Sequence, residues 1–112
     1  GVDDWNDWAK DPDGWWIQGR MGRPEENRKL YFERAPINFV DKIKTPLLIL
    51  HGTADFNVPF YESVRLIDAL IKKGKNIELM IYPGEDHYFI WNSTWRDVCH
   101  RVEGYFDKYL KP

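Results

Sequence analysis

The stretch LILHGTADFNVPF, residues 48–60, decides how the fold of this chain is interpreted. Its apolar run ends at His51 and a glycine follows directly, which is the pattern of a strand that stops at a turn. Asp55 comes four positions after His51, where neither a helical nor a strand period explains a carboxylate. The position of this carboxylate raises the question of its partner, which must come from elsewhere in the chain.

The second half of the chain, residues 45–112, has the pattern strand, helix, strand, helix. The apolar run at 46–50 lies between a proline and a glycine, which favours a strand covered on both faces. Residues 60–73 carry apolar side chains at three-and-four spacing, which predicts an amphipathic helix. A second strand is predicted over 77–82 and a second helix over 94–110. Because a helical crossover joins parallel strands, this order predicts an α/β fold.

The first half, residues 1–44, is rich in Asp, Gly, Pro and Trp and keeps no period for long, which predicts a loop-rich segment with short helices. The clearest helix is predicted to begin at Pro24 and to run towards Arg34, where the Ala35-Pro36 pair ends it. Two parallel strands are too few for a buried sheet, so we expect this chain to be the end of a larger one. Upstream sequence or a second copy of the chain is expected to supply the missing neighbours.

Composition argues against several classes of partner and site. The chain has 16 Lys and Arg against 18 Asp and Glu, with no basic block, so nucleic acid is not an expected partner. No apolar run approaches the ~20 residues that span a bilayer, and no membrane partner is expected. Cys99 is the one cysteine, which rules out an internal disulfide. The adjacent acids Glu85 and Asp86 rarely converge on one ion, so we predict neither a metal nor a cofactor.

One histidine is placed to meet Asp55. His87 follows the second predicted strand by five positions, and the carboxyl ends of neighbouring parallel strands meet at one edge of a sheet. A carboxylate that accepts one ring N–H fixes the imidazole tautomer and leaves the other nitrogen to act as a general base. No Gly-x-Ser-x-Gly nucleophile motif occurs in the sequence. The chain order Ser, Asp, His would place the nucleophile before Gly1.

The segments TPLLILHGTADFNVPFYESVRLIDALIKKG (45–74) and IELMIYPGEDH (77–87) together resemble the end of the catalytic domain of prolyl oligopeptidase-type serine peptidases. This resemblance implies a partial α/β-hydrolase fold, in which the whole chain is the C-terminal portion of the catalytic domain. It also implies that Asp55 and His87 are two members of a Ser-Asp-His triad, that Val58 approaches the substrate, and that the parent protein takes peptide substrates. The sequence departs from many relatives after His87, where Tyr and Phe follow and relatives carry Gly.

Structural roles are the alternatives for the same residues. Asp55 is also suited to capping a turn, and Val58 to packing within that turn. His51 is predicted to be structural, with a ring nitrogen bonded to nearby backbone, and Cys99 to be a small buried group. The tryptophans of the first half, Trp5, Trp8, Trp15 and Trp16, are predicted to pack in a core against the missing part of the domain rather than to line a pocket.

Three functions remain open from the sequence. The preferred one is a serine peptidase that receives its Asp and His from this chain, which alone would be inactive. A carboxylesterase-type acyl hydrolase would use the same triad on esters. A non-catalytic module that self-associates, as a homo-oligomer or by swapped elements, is the third, because open strand edges recruit partners.

Overall fold

The computed structural model describes residues 2–111, apart from the side chain of Asp13. The first half contains short helices, and the second half contains a two-stranded parallel sheet with one helix after each strand, which confirms the predicted α/β class and element order. In chain order the elements are α1 (Trp5–Trp8), a 3₁₀ helix (Pro12–Ile17), α2 (Gln18–Met21), α3 (Arg28–Arg34), a second 3₁₀ helix (Pro36–Lys42), β1 (Leu47–Gly52), α4 (Phe60–Lys72), β2 (Ile77–Tyr82) and α5 (Asn92–Leu110).

The two strands run parallel and in a continuous register from the Leu47–Ile77 pair to the Gly52–Tyr82 pair. Helix α4 supplies the crossover between them, and Leu70 on its inner face is fully buried. Because Gly52 and Tyr82 are the last pair, the loops that follow β1 and β2 leave the sheet at the same edge. This register brings the two loops with candidate catalytic residues together.

Backbone hydrogen bonds continue past the strand ends and join the two loops. Thr53 N–H donates to Tyr82 O at 3.0 Å, and Ala54 N–H donates to Glu85 O at 3.0 Å. Gly52 permits this close approach, because a Cβ at that position would lie 2.1 Å from the Glu85 carbonyl oxygen. The loops are therefore held by main-chain contacts as well as by side chains.

An aromatic core organises the first half. Trp8 and Tyr31 are buried in it, and the Trp8 ring meets Trp5 and Trp16 edge-on at centroid distances of 5.6 and 5.5 Å. Trp8 is therefore buried within this chain, whereas Trp15 is 71% exposed, and packing of the tryptophans against the missing part of the domain stays a prediction. The buried members of this core and the half-buried residues against it are Trp8, Ala9, Ile17, Tyr31, Val2, Trp5 and Met21.

Several element boundaries differ from those predicted. The helix expected from Pro24 begins at Arg28, because residues 24–26 form a turn in which Glu26 and Asn27 N–H donate to Arg23 O. Strand β1 runs two residues past Leu50, since its ladder with β2 continues to the glycine that touches the Glu85 loop.

The outer stripe of α5 is uncovered in the described residues. Phe106 is 54% exposed and Leu110 is 71% exposed. Cys99, predicted to be buried, is exposed on the same helix because no described element packs over it. The helix starts at Asn92, two residues before the predicted Thr94.

Candidate active site

Asp55 and His87 lie side by side at the carboxyl edge of the sheet. The Nδ1 atom of His87 is 2.9 Å from Oδ2 of Asp55. The Asp55 side chain is 5% exposed and that of His87 is 35% exposed, so the acid is buried beneath an accessible imidazole. The two residues that the sequence paired are therefore in direct contact.

The Asp55 carboxylate accepts hydrogen bonds at both oxygens. Oδ1 accepts from the backbone N–H of Asn57 at 3.0 Å and of Val58 at 2.8 Å, while Oδ2 faces ring nitrogens of His87 and His51. Burial favours the neutral acid, but the hydrogen bonds from the Val58 N–H and the His87 ring, together with the electrostatic interaction with both imidazoles, outweigh it and hold the pKa of Asp55 below its usual range. Asp55 thus caps a turn with one oxygen and holds the imidazole with the other.

The loop that carries Asp55 is also held by a contact with the first half of the chain. The indole N–H of Trp8 donates to Asn57 O at 2.8 Å, which ties the aromatic core to this loop. Val58 is buried, and its carbonyl oxygen is 3.0 Å from Nε2 of His51. Val58 therefore takes part in holding the turn, and direct contact between Val58 and a substrate stays a prediction.

His51 is a buried part of the same network, with 6% of its side chain exposed. Its Nδ1 is 2.6 Å from Oγ of Ser63 on α4, and its Nε2 lies 3.0 Å from Val58 O and 3.1 Å from Asp55 Oδ2. The contact with backbone agrees with the structural role predicted for His51. Its contacts with Asp55 and Ser63 were not predicted.

Glu85 shapes the loop that carries His87. Its carboxylate is buried and accepts N–H groups from Ile90 at 2.6 Å and from Trp91 at 3.1 Å. Burial favours the neutral acid, but the hydrogen bonds from the Thr94 hydroxyl and these two N–H groups outweigh it and lower the pKa of Glu85. Both oxygens of Glu85 thus accept hydrogen bonds from the segment that follows His87, which fixes the course of that loop.

The next acid has a related role, since Asp86 Oδ1 accepts the His87 backbone N–H at 2.6 Å. The same oxygen is 3.4 Å from the backbone N of Phe56, so Asp86 bridges the His-bearing and Asp-bearing loops. Among the side chains that the structure describes, no group of three or more His, Cys, Asp or Glu has the arrangement of a metal site.

The arrangement has the chemistry of an oriented base. Because Asp55 has no proton to give when ionised, the Nδ1 atom of His87 carries the hydrogen, and Nε2 is left to take a proton from a nucleophile. Ser63 does not fill the nucleophile's place, since its oxygen contacts His51 within the buried network. Among residues 2–111 no helix has the length and apolar character required to cross a bilayer.

Known relatives match most of this chain. The acylamino-acid-releasing enzyme of Arabidopsis thaliana is 29% identical over 86 residues, which covers 77% of this chain and 11% of that enzyme. The inactive dipeptidyl peptidase 10 of Rattus norvegicus is 38% identical over 92 residues, covering 81% of this chain and 11% of that protein. The chain thus spans about a tenth of the length of these relatives.

Solved structures give the same result for the fold. A puromycin-hydrolyzing peptidase of Mycobacterium tuberculosis superimposes with a TM-score of 0.92 and 25% identity, covering 98% of this chain and 17% of that one. An acylaminoacyl peptidase bound to a chloromethyl ketone superimposes with a TM-score of 0.76 over 99% of this chain. These similarities confirm the partial α/β-hydrolase fold.

A sequence model of the group described as the Prolyl oligopeptidase family matches residues 1–112. This match covers both the loop-rich first half and the half that carries Asp55 and His87. The chain belongs to the prolyl oligopeptidase family of peptidases.

Proposed function

We propose that the protein containing this chain is a serine peptidase and that Asp55 and His87 are two members of its catalytic triad. The observation that carries this proposal is the 2.9 Å contact between Asp55 Oδ2 and His87 Nδ1 at the edge where two parallel strands end. The serine would come from sequence before Gly1, as in the chain order Ser, Asp, His. Peptide substrates are supported by the peptidases among its relatives.

In this mechanism His87 transfers the proton, and Asp55 orients the His87 ring. Nε2 of His87 would take the hydroxyl proton of the serine as the oxygen attacks the carbonyl carbon, and would later give that proton to the leaving amine. Asp55 would stabilise the imidazolium that forms in between. The lowered pKa of Asp55 keeps the carboxylate ionised while His87 cycles between its two forms.

The chain alone is proposed to be inactive, because a base and its orienting acid have no group to acylate without a serine. Upstream sequence that carries the serine turn is therefore the partner that we propose for function. An acyl hydrolase acting on esters would use the same residues, and the relative kcat/KM on matched peptide and ester substrates separates the two activities.

The test compares variants in a form of the protein that includes upstream sequence. Asp55→Asn should lower kcat on a peptide substrate by about four orders of magnitude, as expected when the orienting acid of a triad is lost. His100→Asn on the exposed face of α5 is the matched control and should leave kcat unchanged. Unchanged turnover in folded Asp55→Asn would overturn the proposal.

A non-catalytic role is the second candidate, because one relative with 38% identity is described as inactive. For the isolated chain we propose self-association through a surface of α5 formed by the exposed Cys99 and Phe106 and the half-buried Val98 and Val102. Light scattering should then show a mass that rises with concentration, and Phe106→Glu should lower it. A monomeric mass at all concentrations would contradict this proposal.

A further inference from the structure

We infer that His51 is a positioning residue for the Asp55–His87 pair, with Ser63 fixing the tautomer that this task requires. The inference deepens the proposed function and rests on it. It assigns a role to a second histidine that touches the same carboxylate oxygen as His87. His51 itself would not contact the substrate or the reacting atoms.

The surroundings of His51 determine where its proton lies. Nε2 faces two acceptors, Val58 O at 3.0 Å and Asp55 Oδ2 at 3.1 Å, so this nitrogen must carry hydrogen. Nδ1 faces the Ser63 hydroxyl at 2.6 Å, which can donate to it. The neutral Nε2–H tautomer therefore satisfies all contacts of the ring with no added charge.

The contact of His51 completes the set of donors around Asp55. Two backbone N–H groups bind Oδ1, and the rings of His51 and His87 bind Oδ2, so all four acceptor positions are used. The donors come from β1, from the turn after it and from the loop after β2. Of the titratable groups near Asp55, His51 and His87 contact it, while Asp86 binds the neighbouring Phe56 N–H.

Removal of the His51 contact would free one side of the carboxylate. Oδ2 would then be held by His87 alone, so the acid could rotate away from the geometry in which it fixes His87 Nδ1–H. Catalytic groups must keep their productive geometry within about 0.5 Å, which requires a supporting shell of hydrogen bonds. The backbone N–H groups of Asn57 and Val58 do not supply this restraint at Oδ2, because they donate to Oδ1.

Two amide variants separate this role from general packing. His51→Gln can place an amide N–H near the position of Nε2, facing Asp55, whereas His51→Asn reaches only the position of Nδ1, facing Ser63. In a form that includes upstream sequence, we expect H51N to lower kcat by about tenfold, equivalent to about 1.4 kcal/mol, with KM nearly unchanged. We expect H51Q to restore most of that loss.

Nuclear magnetic resonance of the ring nitrogens gives a readout that packing would not move. In the wild-type chain, ¹⁵N shifts should place the His51 proton on Nε2 and the His87 proton on Nδ1. H51N should reduce the preference of neutral His87 for its Nδ1–H tautomer, and H51Q should preserve it. A wild-type His51 proton on Nδ1 would overturn the inference even where both variants fail to fold.

Failure of the inference can be told from failure of the proposed function. If Asp55→Asn abolishes turnover while folded H51N and H51Q match wild type in kcat and in His87 tautomer, the triad stands and His51 has no positioning role. If Asp55→Asn leaves turnover unchanged, the proposed function fails and the inference fails with it.

Discussion

Replacing Asp3 with asparagine should remove a large pH dependence from the stability of this protein. Asp3 is 3% exposed and faces the fully buried Glu62 of α4. Oε2 of Glu62 accepts the backbone N–H groups of Asp3 and Asp4, whereas Oδ1 and Oδ2 of Asp3 and Oε1 of Glu62 are buried without a partner. Burial, followed by the neighbouring Glu62 carboxyl, raises the pKa of Asp3 to about 8.

The magnitude follows from the difference in proton binding. In the unfolded chain Asp3 loses its proton near pH 3.9, whereas in the folded chain it keeps the proton up to about pH 8. Because the folded pKa is the higher one, its contribution to stability is complete below pH 4 and is lost as pH rises to 8. When the folded state binds one proton more than the unfolded state, the unfolding free energy falls by about 1.4 kcal/mol per pH unit. Between pH 4 and pH 7 this loss amounts to about 4 kcal/mol.

The assay is urea unfolding followed by tryptophan fluorescence at pH values from 4 to 9. Asp3→Asn keeps the size of the side chain and can donate an amide N–H to Glu62 without a titrating proton. The unfolding free energy of the variant minus that of the wild type should therefore increase as pH rises. Asp41→Asn, at an exposed position, is the matched control and should show no such trend. A difference for Asp3→Asn that is constant from pH 4 to 8 would refute the reasoning.

Three further predictions concern the contacts that hold the two loops. Gly52→Ala should destabilise the fold by about 2 kcal/mol in urea unfolding, because its Cβ would lie 2.1 Å from Glu85 O, whereas Gly19→Ala, with open space around it, should not. Trp8→Phe should cost at least about 1 kcal/mol by losing the N–H bond to Asn57 O, while Trp15→Phe, which is 71% exposed, should be near neutral in the same assay. Glu85→Gln should speed amide hydrogen exchange at Ile90 and Trp91, and unchanged exchange there would contradict the role of this carboxylate.

The sequence predicts the half of the fold that rests on local patterns. The strand predicted at 77–82 has the same bounds in the structure, and the helix predicted at 60–73 ends one residue earlier. Both predictions used local signals, namely the period of the apolar residues and the glycine that follows the helix. Asp55 and His87 could be paired because parallel strands deliver their following loops to one edge. Residues in the first half carry no sustained period, so its helices could be placed only approximately.

Contacts between distant positions account for what the sequence did not reveal. Asp3 and Glu62 are in contact although 59 positions separate them in the sequence, and Trp8 and Asn57 are 49 positions apart. No local sequence pattern predicts either contact. The burial of Glu85 was not predicted either, because it depends on the backbone N–H groups of Ile90 and Trp91, which the loop brings back to this carboxylate. Cys99 was predicted to be a small buried group within the last helix, whereas the structure leaves that helix face uncovered.

The central claim is that His87 activates a serine, and fluorophosphonate labelling tests it most directly. In a form of the protein that includes upstream sequence, the wild type should be labelled, and His87→Ala should slow labelling by about 100-fold or more. His100→Ala should be labelled at the wild-type rate. Labelling of His87→Ala at the wild-type rate would contradict the account.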